Sequence, residues 1–495
     1  MKKKTFLSRG KFGSLVVLAI GGLAFASCAD HYDGDESWSS PVSNKEHLDS
    51  PTKEGIKITA SADGSTFDIS WPVVYGAGGY EVKLVDITDQ ALPVTIYEGN
   101  VDGCSISAKR EEDSNYKLSV RSLGNSSLNN GEALVATDST FTTFVARIDE
   151  IPANSDLAEY FTAKLAELNP EVEGHAEVLP FDVVPGATYT LNDAIDFQGY
   201  RVLIRSTSKT RNANLIIGEN GRFDITAGFS LRGLDIDMTA TNNPLIKGSS
   251  NPLDSIKGRT TWNESGKYGS KRIICEPVRV QRCNIKAMKA ALIDMSAEEY
   301  YLKDFIMADS RIQTEPTATQ VAVIKMTSKS YINDFKAENC TVWNTGEANY
   351  SYFMQYVNGG RCPDMDLTSM SATMTNCTFY NIAKTGQWAN YSNFAGAKRN
   401  MTTITYTDNI FVDCGNKQLM RRVLGGQKTG WGKLKTNQNT YWFDGEDISA
   451  TEGEYDTGKI LTTDPAFVDP ANGDFTPTGA EQVSFKTGDT YWFNK

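Results

Sequence analysis

The sequence predicts an all-β chain: a small sandwich followed by a long parallel β-helix, with a short helix capping the first coil. Three observations carry that expectation. A ten-residue unit, clearest at Phe335–Asn344 and again at Ala372–Asn381, holds two short strands that meet at an Asn, with a Cys opening the second. The residue at the break falls in turn on Gly233, Arg282, Asp309, Asn339, Asn376, Asp408 and Asn439, so the unit recurs along the carboxy-terminal part of the chain. The flanking residues alternate apolar and polar with period two, which marks strands with one buried face. A repeat whose unit cannot bury its own apolar face must stack on its neighbours as a solenoid. Gly, Asn and Asp at the break suit a tight bend with positive φ, which most residues resist, and Arg282 alone departs from that rule.

The inward positions follow from the alternation. After the bend they are Leu234/Ile236, Cys283/Ile285, Ser310/Ile312, Cys340/Val342, Cys377/Phe379, Asn409/Phe411 and Thr440/Trp442. Before it they run from Phe229/Leu231 to Ile404/Tyr406, and the last copy offers Lys435 and Asn437 where apolar residues are expected. Three short strands and their bends need only about 20–25 residues, so the surplus of each repeat sits in loops. Third strands are expected at Leu292–Met295, Val323–Met326, Phe353–Tyr356, Asn393–Ala395 and Leu419–Val423, with Met295, Met326 and Tyr356 turned inward.

Composition narrows the function. The 495 residues carry a net charge of −12 with a pI near 5.0, which leaves no basic footprint for nucleic acid. Lys2, Lys3, Lys4, Arg9 and Lys11 precede the apolar run Leu15–Ala26, and small residues lead to Cys28. Residues 1–27 therefore read as a secretion signal, and 28–54 as a flexible acidic tether. The Cys after small residues resembles the bacterial lipobox, which implies lipidation of Cys28 and a protein tethered to a membrane rather than spanning it. The acidic run Ala29–Glu36 resembles the export signal of Bacteroidetes-type lipoproteins, implying the outer face of the outer membrane. With Cys28 set aside, seven of the eight cysteines remain, an odd number that leaves a free thiol unless chains pair. Those in the coils read as small buried hydrophobes. No spacing suits zinc, and no metal site is expected.

Residues 55–146 hold short strands with turn signals, the pattern of a sandwich. The run Ile69–Tyr80 resembles a fibronectin type III domain, which implies that Trp71 and Tyr80 lie in its core and that Tyr116 is its corner tyrosine. Residues 147–175 form a linker with a helix at Asp156–Leu168, where Leu157, Phe161, Leu165 and Leu168 share a face and Asp156 caps the start. Such a helix would cover the raw edge of the first coil. Over residues 176–495, Leu179–Tyr189 and Tyr200–Arg205 resemble the opening coils of the pectate-lyase-like right-handed parallel β-helices. Thr463–Phe475 resembles the closing segment of many β-helical polysaccharide-active proteins. The combination is similar to surface lipoproteins that accompany bacterial glycan-utilisation systems, many of which have no assigned activity.

Two sets of residues could carry function. If the alternation holds, Asp294, Lys325 and Gln355 form an outward row, continued by Ala395 and by Arg421 or Arg422, with coils about 4.8 Å apart. The pectate-lyase resemblance implies Lys325, Arg421 or Arg422 as base and calcium as the cofactor that neutralises a uronate. Asp294 would hold Lys325 protonated, and one Asp falls short of the oxygen ligands calcium needs. The three histidines, His31, His47 and His175, all precede the repeating coils, and the Gly-His-Gly element of polygalacturonases is absent. A binding role has more material in Trp343, Tyr350, Tyr352, Trp388, Tyr391 and Trp431, beside Asn349, Arg361, Asn390 and Lys398, because rings stack on sugar faces while amides and cations fix the hydroxyls. The expectation is a cell-surface lipoprotein that binds or helps process an extracellular polysaccharide, an acidic plant glycan such as pectin, without a cofactor. Its other partners would be the outer membrane and further glycan-uptake proteins. A calcium-dependent lyase and a structural or adhesive surface protein are the alternatives.

Overall fold

The computed structural model describes residues 42–495 except 63, 169–176, 251–271, 299, 327–329, 356–366 and 390–398. The secretion signal, Cys28 and the start of the tether lie outside the described residues. The chain forms two compact units. In the first, Lys57–Ala60, Thr66–Ser70 and Ser105–Lys109 make one sheet, and Val94–Val101, Tyr80–Asp86, Asn115–Ser122 and Thr137–Thr142 make another. The strand Tyr80–Asp86 buries every second residue, as a half-covered strand must. Trp71 meets Tyr80 edge-on at 5.6 Å, and Tyr116, Leu118 and Val120 are fully buried. The part of the expected flexible tether, residues 28–54, that is described is held in place. Leu48 is buried and its N–H donates to Gly131 O, while the Asn130 side chain donates to Val42 O at 2.6 Å and accepts from Lys45 N. Those bonds fix the chain from residue 42 onward.

In the second unit the chain passes again and again through three sheets in the same order, always pairing parallel with the previous pass. That is a parallel β-helix. The first sheet runs from Asp149–Ile151 to Lys433–Asn437, the second from Thr188–Leu191 to the strands around Asn439–Phe443, and the third from Ala194–Asp196 to Gln387–Ala389. Asp149–Ile151 already pairs with Leu179–Val183, so the stack starts inside the segment expected to be linker, ahead of residue 176. Between those two strands lies the helix Leu157–Ala166. One oxygen of Asp156 accepts from Ala158 N and Glu159 N, and the other accepts from Thr190 and Asn192 of the first coil. Phe161 then sits 4.9 Å from Phe181 and 5.1 Å from Phe197.

The bend between the first and second sheets sets the register. Gly233, Arg282, Asp309, Asn339, Asn376, Asp408 and Gln438 all have φ between 49° and 68°. The residues that follow them, Leu234, Cys283, Ser310, Cys340, Cys377, Asn409 and Asn439, form one internal column exposed by 1% or less. In the last coil the bend residue is thus Gln438, not Asn439. Ile404 pairs with Leu434, Tyr406 with Thr436 and Phe411 with Tyr441, which turns Lys435 and Asn437 outward and makes Tyr441, not Trp442, the inward aromatic. The cause is a side-chain ladder. Asn409 Oδ1 accepts from Cys377 N at 3.0 Å, and Asn409 Nδ2 donates to Met374 O and to Asn439 Oδ1 at 2.9 and 3.0 Å. The thiols of Cys340 and Cys377 lie 3.2 Å from the carbonyl two residues earlier, and both are free thiols. Inside, Phe379, Phe411 and Tyr441 stack at 5.5 Å intervals.

Asn409→Ala would leave Cys377 N–H buried without a partner, at about 1–3 kcal/mol, and would remove the bonds to Met374 O and Asn439 Oδ1. It is expected to lower stability by roughly 2–4 kcal/mol, read as a fall in the urea midpoint by circular dichroism, whereas Thr405→Ala on the outer face should leave the midpoint nearly unchanged.

Candidate functional site

The third sheet builds the row that the alternation predicts. Its outward residues pair in the order Asp196, Asp224, Lys247, Asp294, Lys325, Gln355. Met295 and Met326 are buried, as expected, while Tyr356 lies outside the described residues. Lys325 Nζ is 2.8 Å from Asp294, a partly exposed pair worth at most about 1 kcal/mol. With three Asp against two Lys, the row has no surplus positive charge for a polyuronate. Arg421 and Arg422 do not continue it, because Leu419–Val423 is an α-helix rather than a strand. Its first N–H groups, of Leu419 and Met420, donate to the Glu452 carboxylate at 2.7 and 2.8 Å, and burial pushes that carboxyl up to about 7 against the pull of those two bonds. Ala395 lies outside the described residues. Among the described residues no three His, Cys, Asp or Glu side chains converge as metal ligands would.

The aromatic residues expected to bind fall in different places. Tyr350 and Trp388 belong to the core, not to loops: the Tyr350 hydroxyl donates to Ala290 O at 2.8 Å, and Trp388 stacks 4.4 Å from Phe353. Both stand on strands of the third sheet, Tyr350–Gln355 and Gln387–Ala389, whose inward face they fill. Trp431 is half-buried, and its indole donates to Gln427 O. Tyr352 lines a polar pocket of about 660 Å³ together with Asn349, Lys384 and Arg422, where Lys384 is held by Asp413 and Asp444 at 2.9 and 2.8 Å. Tyr391, Asn390, Arg361 and Lys398 lie outside the described residues.

Trp343 stands at the end of a groove of about 630 Å³ on the outer face of the second sheet. One floor row is Asn214, Asp235, Asn284 and Arg311, paired coil to coil. The other holds Ile216, Asp237 and Lys286, then Gln313 and Trp343. Two Asp235 bonds lie flat on this floor, its Oδ1 accepting from Asn212 and Asn284 at 2.8 and 2.7 Å. Lys286 pairs with Asp237 at 2.9 Å. Burial pushes the Asp237 carboxyl up, but bonds from Thr239 and Lys286 outweigh it and hold the group below the usual carboxylate range.

The carboxy-terminal segment closes the groove. It forms the hairpin Phe467–Asp469/Asp474–Pro477, the helix Ala480–Phe485 and a turn at Thr490–Phe493, and it returns over the second sheet. Phe475 packs 5.4 Å from Trp343 and 5.5 Å from Tyr380. Thr341 donates to Asp489 Oδ2 at 2.8 Å, Asp489 N donates to Thr378, and the Trp492 indole donates to Thr341 at 2.7 Å. Tyr491 covers the Arg311 guanidinium at 3.9 Å, and Arg311 Nε lies 3.5 Å from Asp489. Trp343, Tyr491 and Trp492 thereby wall one end of a polar floor, an arrangement that can stack on a ring and bond the hydroxyls around it.

Among the described residues expected to bind, only Trp343 reaches this groove. The signal for its floor lies in the same alternation that yields the core, since the outward positions Asp235/Asp237, Asn284/Lys286 and Arg311/Gln313 recur beside Trp343. Tyr491, Trp492 and Asp489 carry no such periodic signal, because the tail docks outside the repeat.

Three family models, each described as a domain of unknown function, match residues 1–186, 187–345 and 372–492. None of the curated proteins matches. Among solved structures, a Fn3-like protein from Clostridium thermocellum is 19% identical over 19% of this chain and 90% of its own, with a TM-score of 0.15. Pectate lyase PelI from Erwinia chrysanthemi, in complex with tetragalacturonic acid, is 11% identical over 79% of this chain and 91% of its own, with a TM-score of 0.17. Pectate lyase Pel3 from Pectobacterium carotovorum is 10% identical over 82% and 99%, also at 0.17.

Burial raises the Asp489 carboxyl from an ordinary 3.8 to about 6, against the opposing pull of Arg311. A group raised on docking favours the docked state fully below its free value and loses that gain as pH rises through its docked value. Tail docking is therefore expected to tighten as pH falls from about 6 towards 3.8. Hydrogen exchange of the Tyr491 and Trp492 amides, corrected for intrinsic rate, should show rising protection, and Asp489→Asn should flatten the profile.

Proposed function

We propose that the protein is a cell-surface lipoprotein that binds an extracellular polysaccharide in the groove on the outer face of the second sheet. One observation carries this reading: an aromatic wall of Trp343, Tyr491 and Trp492 ends a floor whose hydrogen-bonding side chains stand in two straight rows. A polymer of rings repeats along its length, and so do the coils beneath it, at about 4.8 Å. Stacking contributes roughly 0.5–1.5 kcal/mol per ring beyond area burial, so two or three platforms suit binding of about micromolar to millimolar strength. For the lyase alternative, Lys325 is tied to Asp294, and Arg421 and Arg422 stand on a helix rather than on a strand of that row.

The other parts of the chain suit presentation. The Trp71–Tyr80 core pair agrees with a fibronectin type III-like module, which we read as a spacer. The helix Leu157–Ala166, with Phe161 against Phe181 and Phe197, serves as the cap that keeps the first coil from pairing edge to edge. Lipidation of Cys28 would anchor the protein in the outer membrane, facing outward, where other glycan-uptake proteins are its neighbours.

Affinity electrophoresis through polysaccharide gels tests the site. Trp343→Ala is expected to weaken retardation about tenfold, a loss of about 1.4 kcal/mol, and Lys325→Ala to leave it unchanged. The reverse result would move the site to the third sheet. For the anchor, Cys28→Ser is expected to shift the protein from the membrane fraction to the soluble one, with detergent partitioning as the readout.

A further inference from the structure

Resting on the groove as the glycan site, we infer that it selects uncharged polysaccharides over polyuronates, and that Asp235 makes that choice. Each cation of the groove already has a partner. Lys286 lies 2.9 Å from Asp237, and Arg311 lies 3.5 Å from Asp489 with its guanidinium against the Tyr491 ring. Asp235 differs. Its Oδ1 is held by two neutral amides, Asn212 and Asn284, at 2.8 and 2.7 Å. No Lys or Arg among the described residues pairs with it, and its Oδ2 accepts from none of their side chains. The groove thus sets two carboxylates, Asp235 and Asp237, against two cations, while the buried Asp489 outside its lining meets the charge of Arg311, in a protein of net charge −12.

Asp235 sits inside its floor row, between Asn214 and Asn284. A ligand that reaches the Trp343 wall along this row passes over it. The hydroxyls of an uncharged ring donate to its free oxygen, and hydrogen bonds to an ionised acceptor are about twice as strong as neutral ones. A uronate chain carries a carboxylate on every ring and cannot keep them all away from Asp235. Two like charges within about 4–6 Å disfavour each other, and the repulsion grows where the groove wall displaces water. The same carboxylate therefore rewards hydroxyls and rejects acids. The two amides orient it without cancelling its charge.

The test compares charge at constant ring geometry. Each uncharged polysaccharide that retards the protein in affinity gels is run beside its own derivative with primary alcohols oxidised to carboxylates, and methyl-esterified polygalacturonate is run beside the free acid. The gels contain 0.15 M salt, where screening extends over about 8 Å, so a contact at the floor survives. The protein is expected to bind the uncharged member of each pair at least tenfold more tightly. Asp235→Asn keeps an oxygen for Asn212 and Asn284 and is expected to close most of that gap. Equal or tighter binding of the charged member by the unaltered protein overturns the inference while leaving the glycan site standing, as does an Asp235→Asn protein with the same ratio. Retention by no polymer at all overturns the glycan reading itself, and this inference with it.

Discussion

The left-handed bend between the first and second sheets is the constraint on which the rest depends. Seven consecutive coils place a residue of positive φ there, followed by a buried residue in a single column. A side-chain period of two means that a slip of one residue would turn every inward chain outward. The column resists that slip with bonds that reach to the next coil, such as Cys283 N to Ser310, Cys377 N to Asn409 and Asn409 N to Asn439. Each is a buried backbone donor that would otherwise stand alone, so the wrong register costs more than lost packing. The straight outward rows of the groove follow from this inner column.

How much was legible in the sequence follows from the same physics. Burial on a strict period leaves a pattern, and Leu234, Cys283, Cys340 and Cys377 fall in one column as their spacing implies. Arg282 looked like an exception by residue type, yet it takes the bend at φ 53° like the rest. Tertiary context outweighs the roughly 1–2 kcal/mol that a side chain loses in that region. The last coil misled for the opposite reason. Asn suits both the bend and the column ladder, and the bonds of Asn439 to Asn409, Tyr406 O and Asp456 place it in the column. Leu419–Val423 shows what a five-residue apolar run cannot tell: strand or helix is settled by Glu452, more than thirty residues away. Tyr350 and Trp388 read as exposed rings because their strands are short and broken by long insertions, which hide the alternation.

The candidate sites were less legible than the fold, since function here depends on what stands one coil away. Asp294 and Lys325 occupy the expected row and pair with each other, so these two charges are spent on one another. Asp237 and Lys286 do the same on the second sheet. Two rows of nearly equal composition thus differ through details that no single repeat contains: the aromatic wall beside one of them, and a carboxylate held by amides instead of a cation. An ion pair on a solvated face adds little stability. What it does is remove a charge that could otherwise attract a ligand.

The carboxy-terminal tail determines where the groove ends. It binds the second sheet through the outward threonines Thr341 and Thr378, positions equivalent to those a ligand meets at Asn284 and Arg311 in the preceding coils. Tail and ligand therefore draw on one kind of surface, and each coil that the tail covers is a coil that a polymer cannot use. The tail holds its share with a buried carboxylate, which is an expensive group to place away from water. Arg311 is the coil residue that meets this charge, and it is also the last open position of its row. One guanidinium thus joins the closed part of the sheet to the open part, and the wall of the groove stands where that charge is balanced.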